Sequence, residues 1–486
     1  MTCSKHINLE TTISSEKVLL TVGPRPADLT QPFPMVVARP HELWKSLSCG
    51  SEAPCGALPA LAHPLAWSAL PKAPKSPQSN GQTLTMQFTH GVIEIHGCLK
   101  DSSYRLRELL DPIAAVVLLG PRQTGKTTLA FAQKQSRSNA LFELPYAQRQ
   151  LDDPEAFFMH APTNLPSRMR CTRMPGVFSI LRGVIDQLRR LGESSGQFLL
   201  LGSASGVLLQ QSSESLAGRV AQIELTPFQA REVFEDDVQP SELNSLWVRG
   251  GFPLAWLAKD DAASLAWQEA FITTYLEKDI PALGPRIPAT TLRRLWTMLA
   301  HNQGELLDQS KLAAALGING QTVGRYIDLL CDLMLVRRLP AWSGNVGKRL
   351  IRSPKVFVRD SGLVHALLGL NSLDAVLSHP VAGSSWEGFV VEQLINAAPT
   401  AQASFYRTSN VAEVDLVLEF RGGQTWVIEI KRSSAPTVSK GFYTAAADLG
   451  AVRKLLVAPV EQPYPMKDGI EVMNPLLAAL LISFQT

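Results

Sequence analysis

The chain has 486 residues, 45% of them hydrophobic, with 46 Lys and Arg against 43 Asp and Glu, a formal net charge of +3. That length exceeds one ordinary core and predicts roughly two to four domains, while the near balance of charge excludes a global electrostatic drive toward nucleic acid or membrane surfaces. Cys3, Cys49, Cys55, Cys98, Cys171 and Cys331 lack C-x-x-C spacing, no basic-then-apolar leader opens the chain and no apolar run is long enough for a membrane span, so a reduced, cytoplasmic protein is expected.

Residues 1–85 are rich in Pro, Ala and Ser and include Pro71-Lys-Ala-Pro-Lys-Ser-Pro77. Such a segment buries too little apolar surface to offset its ordering entropy, so it is expected to be disordered or an over-extended start, with Met86 opening a more ordinary beginning. Asp101–Leu110 has a helical pattern. From Ile113 to about Phe234, candidate strands Ala114–Leu119, Ala140–Leu144, Phe198–Gly202 and Ala221–Leu225 alternate with helices, which predicts a parallel α/β sheet within residues 86–235. Residues 236–290 are expected to form a helical lid or connector. Residues 291–350 suggest a winged-helix-like module, with helix Gln309–Leu316, turn Gly317-Ile-Asn-Gly320 and helix Gln321–Leu333. Gln321, Thr322, Arg325 and Tyr326 fall where a recognition helix would contact DNA. Only Arg325 is positive there and Asp328 opposes it, which favours a packing role. A carboxy-terminal α/β unit fills 351–486, and its apolar tail Leu476–Phe484 predicts a terminal helix.

The strongest motif follows the apolar run Ala114–Leu119. Gly120, Pro121, Arg122, Gln123, Thr124, Gly125, Lys126 and Thr127, with Thr128 next, spell G-x-x-x-x-G-K-T-T between a strand and a helix. Successive backbone N–H groups in such a loop curl around a polyphosphate, and the two glycines give freedom where a Cβ would obstruct. Lys126 reaches the β- and γ-phosphates, Thr127 offers its hydroxyl to Mg²⁺ and the positive end of the next helix faces the anion. ATP and Mg²⁺ are the expected cofactors.

A second constellation lies near the carboxyl end. Glu413-Val-Asp415 opens a strand-like run to Phe420, Gly422-Gly423 predicts a hairpin turn, and Trp426-Val-Ile-Glu-Ile-Lys431 follows as the paired strand. Glu429 and Lys431 share a face because strand side chains alternate, and Asp415 on the partner strand can join them. Two carboxylates for a divalent metal and a lysine to orient water resemble the PD-(D/E)xK nuclease pattern, with Glu387 as accessory acid. The same fold can serve for docking DNA or protein without cleavage.

Taken with Phe198-Leu-Leu-Leu-Gly-Ser203, Glu214-Ser-Leu-Ala-Gly-Arg219, Leu225-Thr-Pro-Phe228, Gly250-Gly-Phe-Pro253, Tyr275-Leu-Glu-Lys-Asp279 and Lys355-Val-Phe-Val-Arg-Asp360, the chain from about Met86 onward resembles a specific family. These are the bacterial and archaeal AAA-type ATPases that carry a carboxy-terminal domain of unknown function 4143. The resemblance implies a P-loop parallel-sheet ATPase domain, a helical and winged-helix module, and a restriction-endonuclease-like α/β domain. It also implies that Ser203 is a sensor of the γ-phosphate or of the attacking water, and that Arg219 is an arginine finger toward a second copy of the chain. A strand-end hydroxyl and a salt-bridged helix-end arginine are the plain readings of the same two residues. Nucleotide, DNA and a further copy of the chain are the partners implied.

One element of the family pattern is missing. An apolar strand ending in Asp-Glu should stand shortly before Met174-Pro-Gly-Val-Phe178, yet Ala161 to Pro175 contains neither an apolar strand nor an acid. Back-translation of Pro162–Cys171 permits Asp-Lys-Pro-Ala-Val-Ala-Asp-Glu-Val when read two bases later, as a compensated pair of frameshifts would produce. As written, the chain predicts nucleotide binding with impaired hydrolysis.

Overall fold

The computed structural model describes residues 8–14, 17–23, 36–37, 100–132, 167–170, 177–192, 194–202, 216–234, 238–281, 287–345, 347–409 and 412–485. The candidate strand at 140–144 lies outside them. Two compact units are present, Met1–Gly81 and Gln82–Thr486. In the first, β1 (Asn8–Ser14), β2 (Lys17–Gly23) and β3 (Val36–Val37) form an antiparallel sheet where no regular structure was expected. Local β-branched density in Thr-Thr-Ile and Val-Leu-Leu-Thr-Val outweighs the Pro-rich composition of the surrounding stretch.

The second unit opens with α1 (Lys100–Leu110), β4 (Ala115–Leu119), α2 (Lys126–Ala132), β5 (Ser167–Arg170), α3 (Val177–Arg190), β6 (Phe198–Leu201) and β7 (Val220–Glu224). Its sheet runs β5-β6-β4-β7, all parallel, with Ala115 opposite both Phe198 and Val220. Every residue of β4 is buried because both faces are covered, which is why the strand is apolar throughout. Ala115, Val117 and Leu119 face Phe178, Leu181 and Ile185 of α3, whereas Val116 and Leu118 face Leu106 of α1 and Leu129 of α2. The sheet thereby delivers Gly120 to the carboxyl end of a central strand.

A helical section follows: α4 (Ala230–Val233), α5 (Pro240–Arg249), α6 (Pro253–Trp256), α7 (Asp261–Thr274), a π-helical turn (Tyr275–Asp279), α8 (Ala289–His301), α9 (Gln309–Leu316) and α10 (Gly320–Asp332). Gly317 ends α9 in the left-handed conformation at φ 67°, and Asn319 caps α10 by accepting from the Thr322 N–H at 2.7 Å. The hairpin-like pair β8 (Val336–Leu339) and β9 (Lys355–Val358) closes this section. Then come α11 (Ser361–Leu367), α12 (Leu373–Leu377), α13 (Ala382–Ala397), β10 (Gln402–Arg407), β11 (Glu413–Glu419), β12 (Thr425–Ile430), α14 (Lys440–Asp448), β13 (Arg453–Val457), β14 (Tyr464–Met466), β15 (Ile470–Met473) and α15 (Pro475–Ser483). Their mixed sheet has the order β10-β11-β12-β13-β15-β14, parallel only across β12, β13 and β15. Helices α13 and α15 cover one face and α14 the other. Among the described residues no helix is long and apolar enough to cross a membrane.

Two junctions hold the helical section to its neighbours. At the first, the Phe228 N–H donates to the Gly251 carbonyl at 2.7 Å and the Gly251 N–H donates to Asp360 Oδ2 at 2.8 Å. Gly-Gly-Phe-Pro is thus a point of backbone crossing. At the second, the Trp247 indole donates to Ser385 Oγ at 3.1 Å, the Ser385 hydroxyl donates to His365 Nε2 at 2.8 Å, and His365 Nδ1 donates to the Val248 carbonyl at 3.1 Å. This chain of donors fixes a neutral imidazole. Burial pushes the His365 pKa down to about 4, with nearby His379 adding to the effect. The unfolded chain binds that proton below its ordinary value of 6.5 and the folded chain does not, so this contribution to stability is lost as pH falls from 6.5 toward 4. The loss amounts to about 3 kcal/mol. Urea unfolding from pH 7 to pH 4 should therefore show a steeper decline for the natural protein than for His365→Gln; parallel declines would refute this.

Candidate functional site

Residues 120–128 lie together on the turn between β4 and α2 and on the first turn of α2. Three backbone positions from Gly120 to Gly125 have positive φ, namely Gly120 at 154°, Gln123 at 70° and Gly125 at 88°. A side chain at Gly120 would place its Cβ 2.2 Å from the Leu225 carbonyl, so the loop crosses the end of β7 at backbone distance. Thr124 Oγ1 donates to the Pro121 carbonyl at 3.0 Å, and the Leu129 N–H donates to the Gly125 carbonyl at 2.8 Å. The buried Lys126 ammonium donates to the carbonyls of Gly120 at 2.9 Å and Pro121 at 2.5 Å. It is thus held over the concave side of its own loop, within reach of a phosphate placed there. Thr127 and Thr128 follow in the first turn of α2 and are half-buried.

Arg122 reaches out of this loop to form an ion pair with Asp279, the last residue of the π-helical turn. Burial pushes the Asp279 carboxyl up and Arg122 opposes that shift. The pairing had no signal in the sequence beyond the presence of Asp279 in a recurring motif, because the partners are 157 positions apart. Single-turn π segments concentrate where helices depart from regularity for function.

Arg219 lies at the start of β7 and pairs in two-pronged fashion with Asp186 of α3, Nε to Oδ1 at 2.8 Å and Nη2 to Oδ2 at 2.9 Å. The hydrogen bond from Arg219 holds the Asp186 carboxyl below its usual range. Ser203 lies outside the described residues. The stretch predicted to lack an apolar strand does form a strand: β5 pairs with β6 and, among the described residues, is the outermost strand of the sheet, with Arg170 opposite Leu201. Ser-Arg-Met-Arg is polar, and parallel pairing to β6 supplies its backbone hydrogen bonds without an apolar sequence.

In the carboxy-terminal sheet Asp415 and Glu429 are buried and Lys431 is half-buried. The Lys431 ammonium stands 2.6 Å from Glu429 Oε1, and Asp415 Oδ2 accepts from the Ile430 N–H at 2.9 Å. Gly422 and Gly423 turn the hairpin with φ of 99° and 81°. Lys355 of β9 joins the group, 2.9 Å from Glu387, 3.4 Å from Glu413 and 3.6 Å from Asp415. Burial, then the charge of Asp415, pushes both Glu387 and Glu429 up, with Lys355 and Lys431 opposing. Among the described residues no group of three or more His, Cys, Asp or Glu side chains is arranged to hold a metal ion.

A further charged group joins the end of β7 to the β8/β9 pair and to α13. Arg359 contacts Glu224 at the end of β7 at 2.5 Å and Glu392 of α13 at 3.0 Å, and Arg337 of β8 donates to the same Glu392 carboxylate at 2.9 Å. Burial works against the Glu392 charge, but Arg337 and Arg359 outweigh it and hold the carboxyl down at about 2.

A strand–glycine-loop–helix turn at the carboxyl end of a parallel sheet has the form of a P-loop, and residues 113–234 match the family model described as AAA domain. Residues 240–374 and 382–477 match two models described as domains of unknown function, DUF8612 and DUF4143. The uncharacterized proteins Mb2031c of Mycobacterium bovis and Rv2008c of Mycobacterium tuberculosis are each 38% identical over 406 residues, covering 83% of this chain and 89% of theirs. The chain belongs to this family of AAA-type P-loop proteins with a DUF4143 carboxy-terminal domain. The Walker-type ATPase PABY2304 of Pyrococcus abyssi is 16% identical, with a TM-score of 0.35 over 56% of this chain and 95% of its own.

Proposed function

We propose that this protein binds ATP with Mg²⁺ at residues 120–128, hydrolyses it slowly, and acts in the cytoplasm as a nucleotide-dependent docking protein. The observation that carries the nucleotide reading is the cradle itself, with positive φ at Gly120, Gln123 and Gly125 around a buried lysine. The concave backbone and the Lys126 ammonium fit a polyphosphate, and Lys126 would exchange its loop carbonyls for phosphate oxygens. The Thr127 hydroxyl would hold Mg²⁺, which supplies charge compensation when bound.

Slow hydrolysis follows from β5. Family position assigns the metal-holding Asp and water-activating Glu to that strand, and as written it reads Ser167, Arg168, Met169, Arg170. Without those acids the attacking water lacks a general base. We retain the compensated frameshift as the origin of the stretch, because the reframed Asp-Glu would fall across codons 168 to 170, on β5 itself. Codons there that cannot yield Asp-Glu two bases later would exclude it. Fluorescent-nucleotide titration with Mg²⁺ should show saturable binding that Lys126→Ala weakens by about 10- to 100-fold, the worth of a charge-assisted contact. ATPase turnover should be slow, and brisk turnover abolished in Lys126→Ala would overturn the impaired-hydrolysis reading.

The Glu224–Arg359–Glu392 bridge, which links the phosphate-loop sheet to the carboxy-terminal domain, supports coupling between the two, and docking is the form of it proposed here. The proposed division is 86–235 for the AAA-type domain, 236–290 for the lid, 291–350 for a winged-helix-like module and 351–486 for a restriction-endonuclease-like domain. The Asp186 pairing supports a structural role for Arg219, since a finger toward a second copy would first have to leave that carboxylate. If plasmid DNA with Mg²⁺ or Mn²⁺ is cut, and Asp415→Ala abolishes the cutting, the metal-dependent nuclease reading replaces docking.

A further inference from the structure

We infer that the carboxylate cluster of the carboxy-terminal sheet takes its cation from the chain itself: the Lys355 ammonium stands where a divalent metal would have to bind, and the cluster fastens β9 to the sheet. Lys355 is 4% exposed and reaches Glu387 on α13 and both Glu413 and Asp415 on β11, at 2.9, 3.4 and 3.6 Å. Its ammonium lies 5.6 Å from the Phe405 ring centroid, so an aromatic face backs the charge. Three further oxygens of the cluster also meet groups of the protein. Lys431 stands on Glu429, the Ile430 N–H on the second oxygen of Asp415, and Arg407 lies 3.6 Å from Glu413. Four carboxylates thus face three cationic side chains.

Mg²⁺ demands oxygens at about 2.0–2.1 Å in near-octahedral order, and Mn²⁺ likewise seeks an oxygen set. Neither can gather Glu387 and Asp415 while an ammonium sits between them, because two cations in one buried pocket repel strongly. One oxygen of Glu429 is likewise taken by the Lys431 ammonium. Lys355 belongs to the hairpin-like pair β8/β9, so the clamp joins that element to β11 of the sheet through two ion pairs and to α13 through a third.

The test is Mn²⁺ titration of the full chain without nucleotide, following the electron paramagnetic resonance signal of free Mn²⁺. The natural protein and Asp415→Asn should take up equal amounts, since any Mn²⁺ at the phosphate loop is common to both. Lys355→Met should gain one Mn²⁺ per chain, and adding Asp415→Asn to it should remove that ion. One Mn²⁺ bound by the natural protein and lost in Asp415→Asn overturns the inference, as does a folded Lys355→Met that gains none. Circular dichroism reports folding. If Lys355→Met does not fold, the natural protein against Asp415→Asn decides, and Glu429→Gln serves in the same comparison should Asp415→Asn not fold.

Discussion

Replacing Glu392 by Ala is expected to destabilise the protein by about 3–5 kcal/mol, the range for breaking a buried ion pair by removing one partner. Glu392 is 5% exposed and serves two guanidiniums, Arg337 from β8 and Arg359 from the end of β9. Its loss leaves Arg359 with Glu224 alone and Arg337 without its carboxylate partner. Because the folded carboxyl is held near 2 against an ordinary 4.5, its contribution is present above 4.5 and is lost as pH falls through that interval toward 2. Thermal unfolding at pH 7 should show the deficit, and the gap between natural protein and Glu392→Gln should narrow on acidification to pH 3. A gap that stays constant would mean the two arginines stabilise something other than the ionised carboxylate.

The second large effect is expected at Gly251. A Cβ there would stand 2.3 Å from the Phe228 carbonyl oxygen and 2.8 Å from the Phe228 nitrogen, both backbone atoms that cannot rotate away. Gly251→Ala must therefore push apart the segment after β7 and the turn before α6. Overpacking of a closed contact costs about 1–3 kcal/mol, and more where backbone must move. The same shift lengthens the Gly251 N–H contact to Asp360, whose carboxyl burial holds up at about 6. Guanidinium denaturation should give a lower midpoint with unchanged slope; an unaltered midpoint would show that the crossing relaxes freely.

Much of the candidate phosphate loop is written locally, which is why it was legible. Gly120, Gly125 and Lys126 sit within seven residues, and the run before them is buried on both faces, so motif and periodicity carry the same message. The hairpin of β11 and β12 was legible for a like reason: two mostly apolar runs flank Gly422 and Gly423. What escaped was set by distance along the chain or by borrowed stability. Asp279 meets Arg122 only through the packing of α7, and Lys355 meets Glu387 across 32 positions in a strand whose sequence gives no hint of a salt bridge. Strand β5 owes its form to β6, so its own polar residues predicted nothing. The recognition-helix pattern was legible as a helix, while the pairing of Asp328 with Arg338 of β8 had no local signal.

The position of Lys355 also bears on where this chain can be divided. It precedes α13, whereas the acids it serves all lie on or after that helix. A fragment begun at α13 would contain a complete six-stranded sheet with its covering helices and still be chemically unfinished, carrying acids that have lost their counter-ion. Sequence modules and electrostatic modules have different borders here. A carboxy-terminal piece made without β9 would measure the properties of a cluster that the whole protein never displays.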